Sequence, residues 1–261
     1  MEHFRTISVN TDGAVATVTL NRPWVRNAIN LEMIRELTAV FGKFGEFPLV
    51  RIVVIDSEGT HFSAGADLNW MREGLEQPEE QLLEESRELA RLFLTIDHCP
   101  RVVVAAVKGR VMGGANGLMA AADIVVAEET AQFAFSEVKL GLIPATIAPF
   151  VTRKAGEART SELMLTGRVF DAMEALQSGL VHRICREGEL TGAVKELTDL
   201  LLENGPAAMT GIKGLLRTLR REMTEEKLVE LTAGVIARCR TSVEGQEGIR
   251  AFFEKRKPNW P

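Results

Sequence analysis

The sequence predicts an α/β protein in which strands and helices alternate over the first two-thirds and helices dominate the rest. Three observations carry that prediction. The residues Ala14, Val15, Ala16, Thr17, Val18, Thr19 and Leu20 alternate small and branched side chains with the period of a strand. Three short unbroken apolar runs, Ile52 to Ile55, Val102 to Val107 and Ile124 to Ala127, suit strands buried on both faces and paired in parallel. Between those runs, apolar residues recur every three or four positions, as in helices that cross over a sheet.

Taken in order, the strand ending at Leu20 is followed by Asn30, a residue able to cap a helix bearing Leu31, Ile34, Leu37 and Phe41 on one face. The Ile52 strand comes next, then a helix around Leu82, Leu89, Leu92 and Ile96, then the Val102 strand. A helix of small residues near Leu118 to Ala122 precedes the Ile124 strand, completing a series of βαβ units. From Glu157 onward the strand signals thin out. Helical periodicity takes over, with a stop at Gly179, a restart near Glu189 and Pro206 placed to open another helix. No tandem repeat, low-complexity stretch or long linker interrupts the pattern.

Composition narrows the function. With 46% hydrophobic residues, 261 residues can bury a large core. The net charge of −5 gives no general attraction to nucleic acid, so any anionic ligand is gripped locally. Cys99, Cys185 and Cys239 show neither close pairing nor metal-ligand spacing, which predicts buried thiols in a reduced compartment and no metal. The opening Met-Glu-His-Phe lacks the charged start and apolar stretch of a signal peptide, and the Val102 run stops at Lys108, too short for a membrane span. A cytoplasmic location, without membrane insertion, is the expectation for a bacterial chain. Neither a dinucleotide-binding glycine fingerprint nor a P-loop lysine motif is present.

Two glycine-containing turns carry the candidate chemistry. Gly113 and Gly114 follow the Val102 strand and precede the small residues Ala115 to Ala122. Such a turn presents backbone N–H groups to a ligand oxygen that can approach closely, and the start of a helix favours negative charge there. Two glycines alone equally mark a tight turn needed for packing. His61-Phe62-Ser63-Ala64-Gly65-Ala66-Asp67-Leu68 is a second strand-to-helix turn, in which Asp67 reads as a helix cap and His61 as a loop residue. Stabilising an oxyanion calls for two N–H donors from separate segments, and the two turns could supply one each. Ser63 or Ser136 with His61 or His98 lacks the spacing of a nucleophile elbow. Met112 and Met119 suit core filling or an acyl pocket better than a metal site.

These motifs resemble, in matching order, the crotonase (enoyl-CoA hydratase/isomerase) family. The resemblance runs through Asn21-Arg22-Pro23 with Asn27-Ala28, Phe62 to Leu68, and Ala105 to Gly109 leading into Gly113-Gly114. It continues through Gln132-Phe133, Glu137 to Pro144, and Phe253 to Arg256. It implies a crotonase-like spiral of ββα and βαβ units over residues 1–200 and a helical trimerisation region over 201–261. The assembly implied is a homotrimer or a dimer of trimers. The substrate implied is an acyl-CoA thioester, with no cofactor beyond the CoA that is part of it. Backbone amides of Ala66 and Gly114 match the family's oxyanion hole. Arg26, Ala28, Ala64, Asp67 and Leu68 match its CoA-binding surface, and Lys255 is placed to reach a CoA phosphate. Arg26 and Lys255 read equally well as solvated charges.

The resemblance also exposes a departure. Hydratases of the family typically use two glutamates, of which the second matches Glu137 and the first falls on Gly117. Glu137, flanked by Phe133, Phe135, Val138 and Leu140, is expected to have its pKa raised by burial, which suits proton transfer at C2. Its position alone would also suit an ordinary surface carboxylate. Three readings follow. The first is a hydratase for an unusual enoyl-CoA, with water oriented by Asn116, a backbone group or a substrate carboxylate, and with Gly117 leaving room for a branched or carboxylated acyl group. The segments Ala66 to Met71 and Ser136 to Ile147 look like the bacterial methylglutaconyl-CoA or carboxygeranoyl-CoA hydratase branch, which favours it. The second is a double-bond isomerase served by one glutamate. The third is a CoA-thioester binding protein with little catalysis.

Overall fold

The computed structural model describes residues 4–260, so Met1 to His3, at the start of the segment read above for a signal peptide, lie outside it. The first element is a hairpin. β1 (Ile7–Asp12) turns at Gly13, whose φ of 55° is left-handed, and returns as β2 (Val15–Leu20). Burial along β2 alternates, with Ala16, Val18 and Leu20 inside, as the period-two pattern requires. Ala14 belongs to the turn rather than the strand.

α1 (Leu31–Lys43) begins where expected, the Asn30 side chain accepting from the Met33 N–H at 3.0 Å. It leads to β3 (Ile52–Ser57), α2 (Leu68–Glu73), α3 (Glu79–His98) and β4 (Val102–Val107). β2, β3 and β4 pair in parallel, and all six residues of β4 are buried, as an apolar run covered on both faces should be. β5 (Arg110–Met112), α4 (Ala115–Ala121), β6 (Ile124–Glu128) and β7 (Gln132–Ala134) follow. α5 (Ala148–Thr166), β8 (Val169–Asp171), α6 (Ala172–Gln177), β9 (Arg183–Cys185) and α7 (Leu190–Leu202) come next.

The larger sheet has the order β1-β2-β3-β4-β6-β9, and β5-β7-β8 form a smaller one. β8 and β9 lie in the stretch after Glu157, where helical periodicity dominates the sequence and predicts neither strand. Each is only three residues long, too short to leave a period in the sequence, and each is held by its pairing with β7 or β6. Cys99 is buried, Cys185 half-buried and Cys239 exposed, so the expectation of buried thiols holds at one position of three.

The chain divides into two compact units between Thr198 and Asp199. The second contains α8 (Pro206–Leu219), opened by Pro206 as the sequence indicated, α9 (Glu225–Thr241) and α10 (Val243–Phe253). Within it, Glu244 accepts from the N–H groups of Ala207 and Ala208 at 2.8 and 2.7 Å, tying α10 to the start of α8. Among the described residues no helix is long and apolar enough to cross a membrane.

Candidate active site

Three segments of the first unit lie side by side, and their main chains are stitched together. Ala64 N–H donates to the Arg26 carbonyl at 2.9 Å, and Ile29 N–H to the Gly65 carbonyl at 2.7 Å. Ser63 N–H donates to Arg110 O at 3.0 Å, and Met112 N–H to Ser63 O at 3.1 Å. The hub is Asn27, fully buried and left-handed with φ 52°. Its Nδ2 donates to the carbonyls of Glu58 and His61, while its Oδ1 accepts from Arg22 N–H. Arg26 beside it is also left-handed, with φ 53°. Two consecutive non-glycine residues in that region are costly unless the surroundings enforce them, and the Asn27 bonds do so.

The main-chain bridge between Ile29 and Ala66 uses Gly65 O and Asp67 N–H, so the N–H of Ala66 itself points away from the ribbon. Gly114 stands just before α4, where N–H groups have no partner within the helix. Neither amide donates to any acceptor among the described residues. A second bridge joins Ser63 to Val111, and counting three residues on along each chain reaches Ala66 and Gly114. Gly65 is what lets the turns approach so closely. A Cβ there would lie 2.7 Å from Met112 O, and its φ of 92° excludes side chains independently. Ala66 is exposed and Gly114 half-buried.

Glu137 enters from the single-turn helix Ser136–Leu140, which is closed by left-handed Gly141 and by Leu142 N–H donating to Glu137 O at 3.0 Å. Its carboxylate packs over the glycine turn, where a Cβ on Gly113 would lie 3.2 Å from Oε1. Oε2 is buried with no hydrogen-bond partner. Burial pushes the carboxyl pKa up from its ordinary value, only partly opposed by a bond to its own backbone. The expected apolar flank is half present. Phe133 and Phe135 are buried and stacked on Phe170, whereas Val138 and Leu140 are exposed.

Several other predicted residues serve the frame. Asp67 caps α2, accepting from Asn69 N–H at 2.9 Å, and pairs with Arg22 Nη1 at 2.8 Å. Burial raises its pKa, but the bonds from Arg22 and Asn69 outweigh that and the net shift is downward. Arg22 Nη1 also donates to Ala28 O at 2.6 Å, so the guanidinium bridges the Ala28 and Asp67 segments. Ala28 is buried, Ala64 half-buried, and Leu68 and Arg26 exposed. Lys255 follows α10 in the second unit with φ 54°.

Asn116 does not face a water site through its amide nitrogen. Fully buried, its Nδ2 donates to the carbonyls of Gly113 at 2.9 Å, Ala134 at 3.0 Å and Val111 at 3.3 Å. Gly117 leaves no room for an acyl branch. A Cβ there would meet Phe93 Cζ and Ile147 Cγ2 at 2.5 Å, so these buried side chains already fill the space. His61 accepts from Arg110 N–H at 3.3 Å, and burial with the nearby charges of Arg110 and Arg26 lowers its pKa, as fits a neutral loop residue. Ser63 Oγ is spent on Asn27 O and Gly65 N–H. Arg22 and Asn27 are the functional residues that reasoning on side-chain chemistry missed. They appeared in the sequence only as parts of a motif, with no sign of their distant partners.

Two amides without an acceptor among the described residues, a half-buried carboxylate beside the glycine turn and a matching family pattern over residues 10–261 point one way. The chain belongs to the enoyl-CoA hydratase/isomerase family. Its fold matches that of an enoyl-CoA hydratase from Shewanella pealeana with a TM-score of 0.94 and 41% identity, covering 98% of this chain and 96% of that one. Pseudomonas aeruginosa AtuE matches with a TM-score of 0.94 and 34% identity over 97% of this chain and 98% of its own. The carnitinyl-CoA dehydratase of Escherichia coli K12 is 32% identical, covering 97% of each chain. The family model and relatives named enoyl-CoA hydratase and carnitinyl-CoA dehydratase match over nearly the whole chain, so the crotonase-like fold and the enzymatic assignment read from the sequence both stand.

Proposed function

We propose that this enzyme hydrates an enoyl-CoA thioester, or dehydrates the corresponding hydroxyacyl-CoA, through an enolate held by the amides of Ala66 and Gly114. The proposal is carried by two N–H groups, each three residues beyond the Ser63–Val111 bridge, that donate to no acceptor among the described residues, together with a carboxylate whose Oε2 is buried without a partner. Each such donor contributes on the order of 3 kcal/mol to holding the charge that develops on the thioester oxygen. In hydration, the water oxygen bonds to C3, the C2–C3 electrons move onto the thioester oxygen, and C2 is then protonated. Glu137 alone balances this sequence if it takes the proton from water and returns it to C2. The raised pKa suits a group that must both accept and release that proton. No metal or separate cofactor enters these steps, since CoA arrives with the substrate.

A double-bond isomerase is the second reading, favoured by one observation. Position 117 carries no carboxylate and is sealed by Phe93 and Ile147, leaving Glu137 as the carboxylate beside the glycine turn. An isomerase needs one base to carry a proton between C4 and C2. The branched or carboxylated substrate, such as 3-methylglutaconyl-CoA, is now supported by the Ala66 to Met71 and Ser136 to Ile147 segments and no longer by space at Gly117. Incubation with crotonyl-, 3-methylglutaconyl- and 3-enoyl-CoA followed by mass analysis tests all of this. Hydration adds the mass of water. Product of unchanged mass and shifted double bond establishes the isomerase instead, and an inert panel with unaltered binding in Glu137→Gln would favour a thioester-binding protein.

For assembly we propose a homotrimer or dimer of trimers formed through residues 201–261. The reading is supported by the large apolar side chains of Ile212, Leu216, Val229, Ile236, Phe252 and Phe253, which the second unit leaves exposed in the single chain. Light scattering on the eluted protein tests it, and a monomer mass overturns it.

A further inference from the structure

We propose that Asn116 is a positioning residue that sets the Gly114 amide and Glu137 in one frame. The inference rests on the oxyanion reading given above. Three carbonyls from two stretches of chain converge on its Nδ2: Val111 in β5 and Gly113 in the glycine turn that follows it, and Ala134 at the end of β7. Gly113 N–H also donates to Ala134 O at 2.9 Å, so turn and strand are cross-tied at the same oxygen. Gly114 follows the first of these anchors directly, and Glu137 stands three residues beyond Ala134. One side chain therefore fixes both the donor to the thioester oxygen and the strand that delivers the carboxylate.

The direction of the amide is not interchangeable. Reversing it would set Oδ1 against three carbonyl oxygens, whereas the present arrangement leaves Oδ1 buried and unpartnered. Burying an acceptor without a donor is unfavourable, so the fixed orientation is maintained against that cost. An apolar residue of similar size would pack here without the orphaned oxygen. It would also leave the glycine turn untied.

The test uses the full-length enzyme on whichever thioester it turns over, with Glu137→Gln as comparator. Asn116→Ala should lower kcat about a hundredfold, as small misplacements of catalytic groups do, while KM stays within about threefold. Asn116→Ser can donate one bond from Oγ to the carbonyl three residues back, and should recover part of the loss. Asn116→Asp is acceptor-only when ionised but donates once protonated, so its rate relative to the parent should climb as pH falls. A purely structural side chain would lower the amount of folded enzyme without that pH signature. The proposal is overturned if Asn116→Ala, or Asn116→Ser should the alanine variant not fold, keeps the parent kcat, or if the deficit of Asn116→Asp is the same at every pH. Should Glu137→Gln abolish turnover while the Asn116 variants do not, only the positioning role falls. Should neither lower kcat, the catalytic reading falls with it.

Discussion

Around Ala66 the main chain is braced by charge, and around Gly114 by a neutral amide. Arg22 reaches Asp67 and Ala28 at 2.8 and 2.6 Å, holding the residues on both sides of the Ala66 bridge. Asn116 gathers three carbonyls about the other turn with no formal charge. Both devices leave one N–H unpartnered. They differ in what disturbs them: a buried ion pair fails when either partner is removed or neutralised, while an amide clamp is indifferent to pH. A second carboxylate, Glu137, has the opposite shift from Asp67. The frame holds one carboxylate firmly ionised and another poised to gain a proton.

The largest effect should come from the residue at which one turn closes on the other. Gly65→Ala places a Cβ 2.7 Å from Met112 O at a φ of 92°, forcing the two amides apart. Backbone strain of this kind costs about 1–3 kcal/mol, and the displacement should lower kcat by at least about a hundredfold. Urea denaturation and steady-state kinetics check both. Unchanged kcat in a variant of reduced stability would show that the spacing of the turns does not matter to the reaction.

Arg22→Met breaks the charged brace alone. It leaves the Asp67 carboxylate buried without its cation, held by the backbone N–H groups of Asn69 and Trp70 alone, and should cost about 3 kcal/mol at neutral pH. The folded pKa of Asp67 is lowered, so its contribution is present above the ordinary carboxylate range and is lost as pH falls through the folded value. The gap in Tm between parent and variant should therefore narrow in acid. A gap that is constant with pH would mean that Arg22 acts through Ala28 rather than through Asp67.

How much of this was legible in the sequence follows from the range of the interactions. The runs at Ile52 and Val102 announced parallel strands because burial on both faces needs only the local residues. Asn30 announced a helix start because its bond spans three positions. β8 and β9 stayed hidden because three residues carry no period, and Arg22 because its partner is remote in the chain. The glycine at 117 was visible, but its meaning was not. A missing side chain reads as space until Phe93 and Ile147 are seen to fill it.

Glu137 sharpens the contrast from the other side. Its folded pKa is raised by burial, so its ionised form opposes folding, and stability from the protonated group is lost as pH rises above the ordinary glutamate range. Glu137→Gln should be slightly more stable than the parent at neutral pH while losing about a hundredfold or more in kcat. In the parent, kcat/KM should fall as pH drops through a midpoint above the usual 4.5 of a glutamate. A midpoint at or below that value would mean that burial does not set the working protonation state.

The smallest effect is expected at Gly114, and it isolates the amide from the turn. Its φ of −54° suits any residue, and a Cβ there meets no atom within 4 Å. Gly114→Ala keeps the N–H, so stability should change by no more than about 0.5 kcal/mol and kcat by less than about tenfold. Because the new methyl group points into open space at the proposed thioester site, what change there is should appear chiefly in KM. Two glycine-to-alanine changes in apposed turns would then differ in outcome for a single reason. At residue 65 the absent side chain is needed by the protein's own main chain, and at residue 114 only by the proposed substrate. Equal destabilisation by the two would refute that distinction.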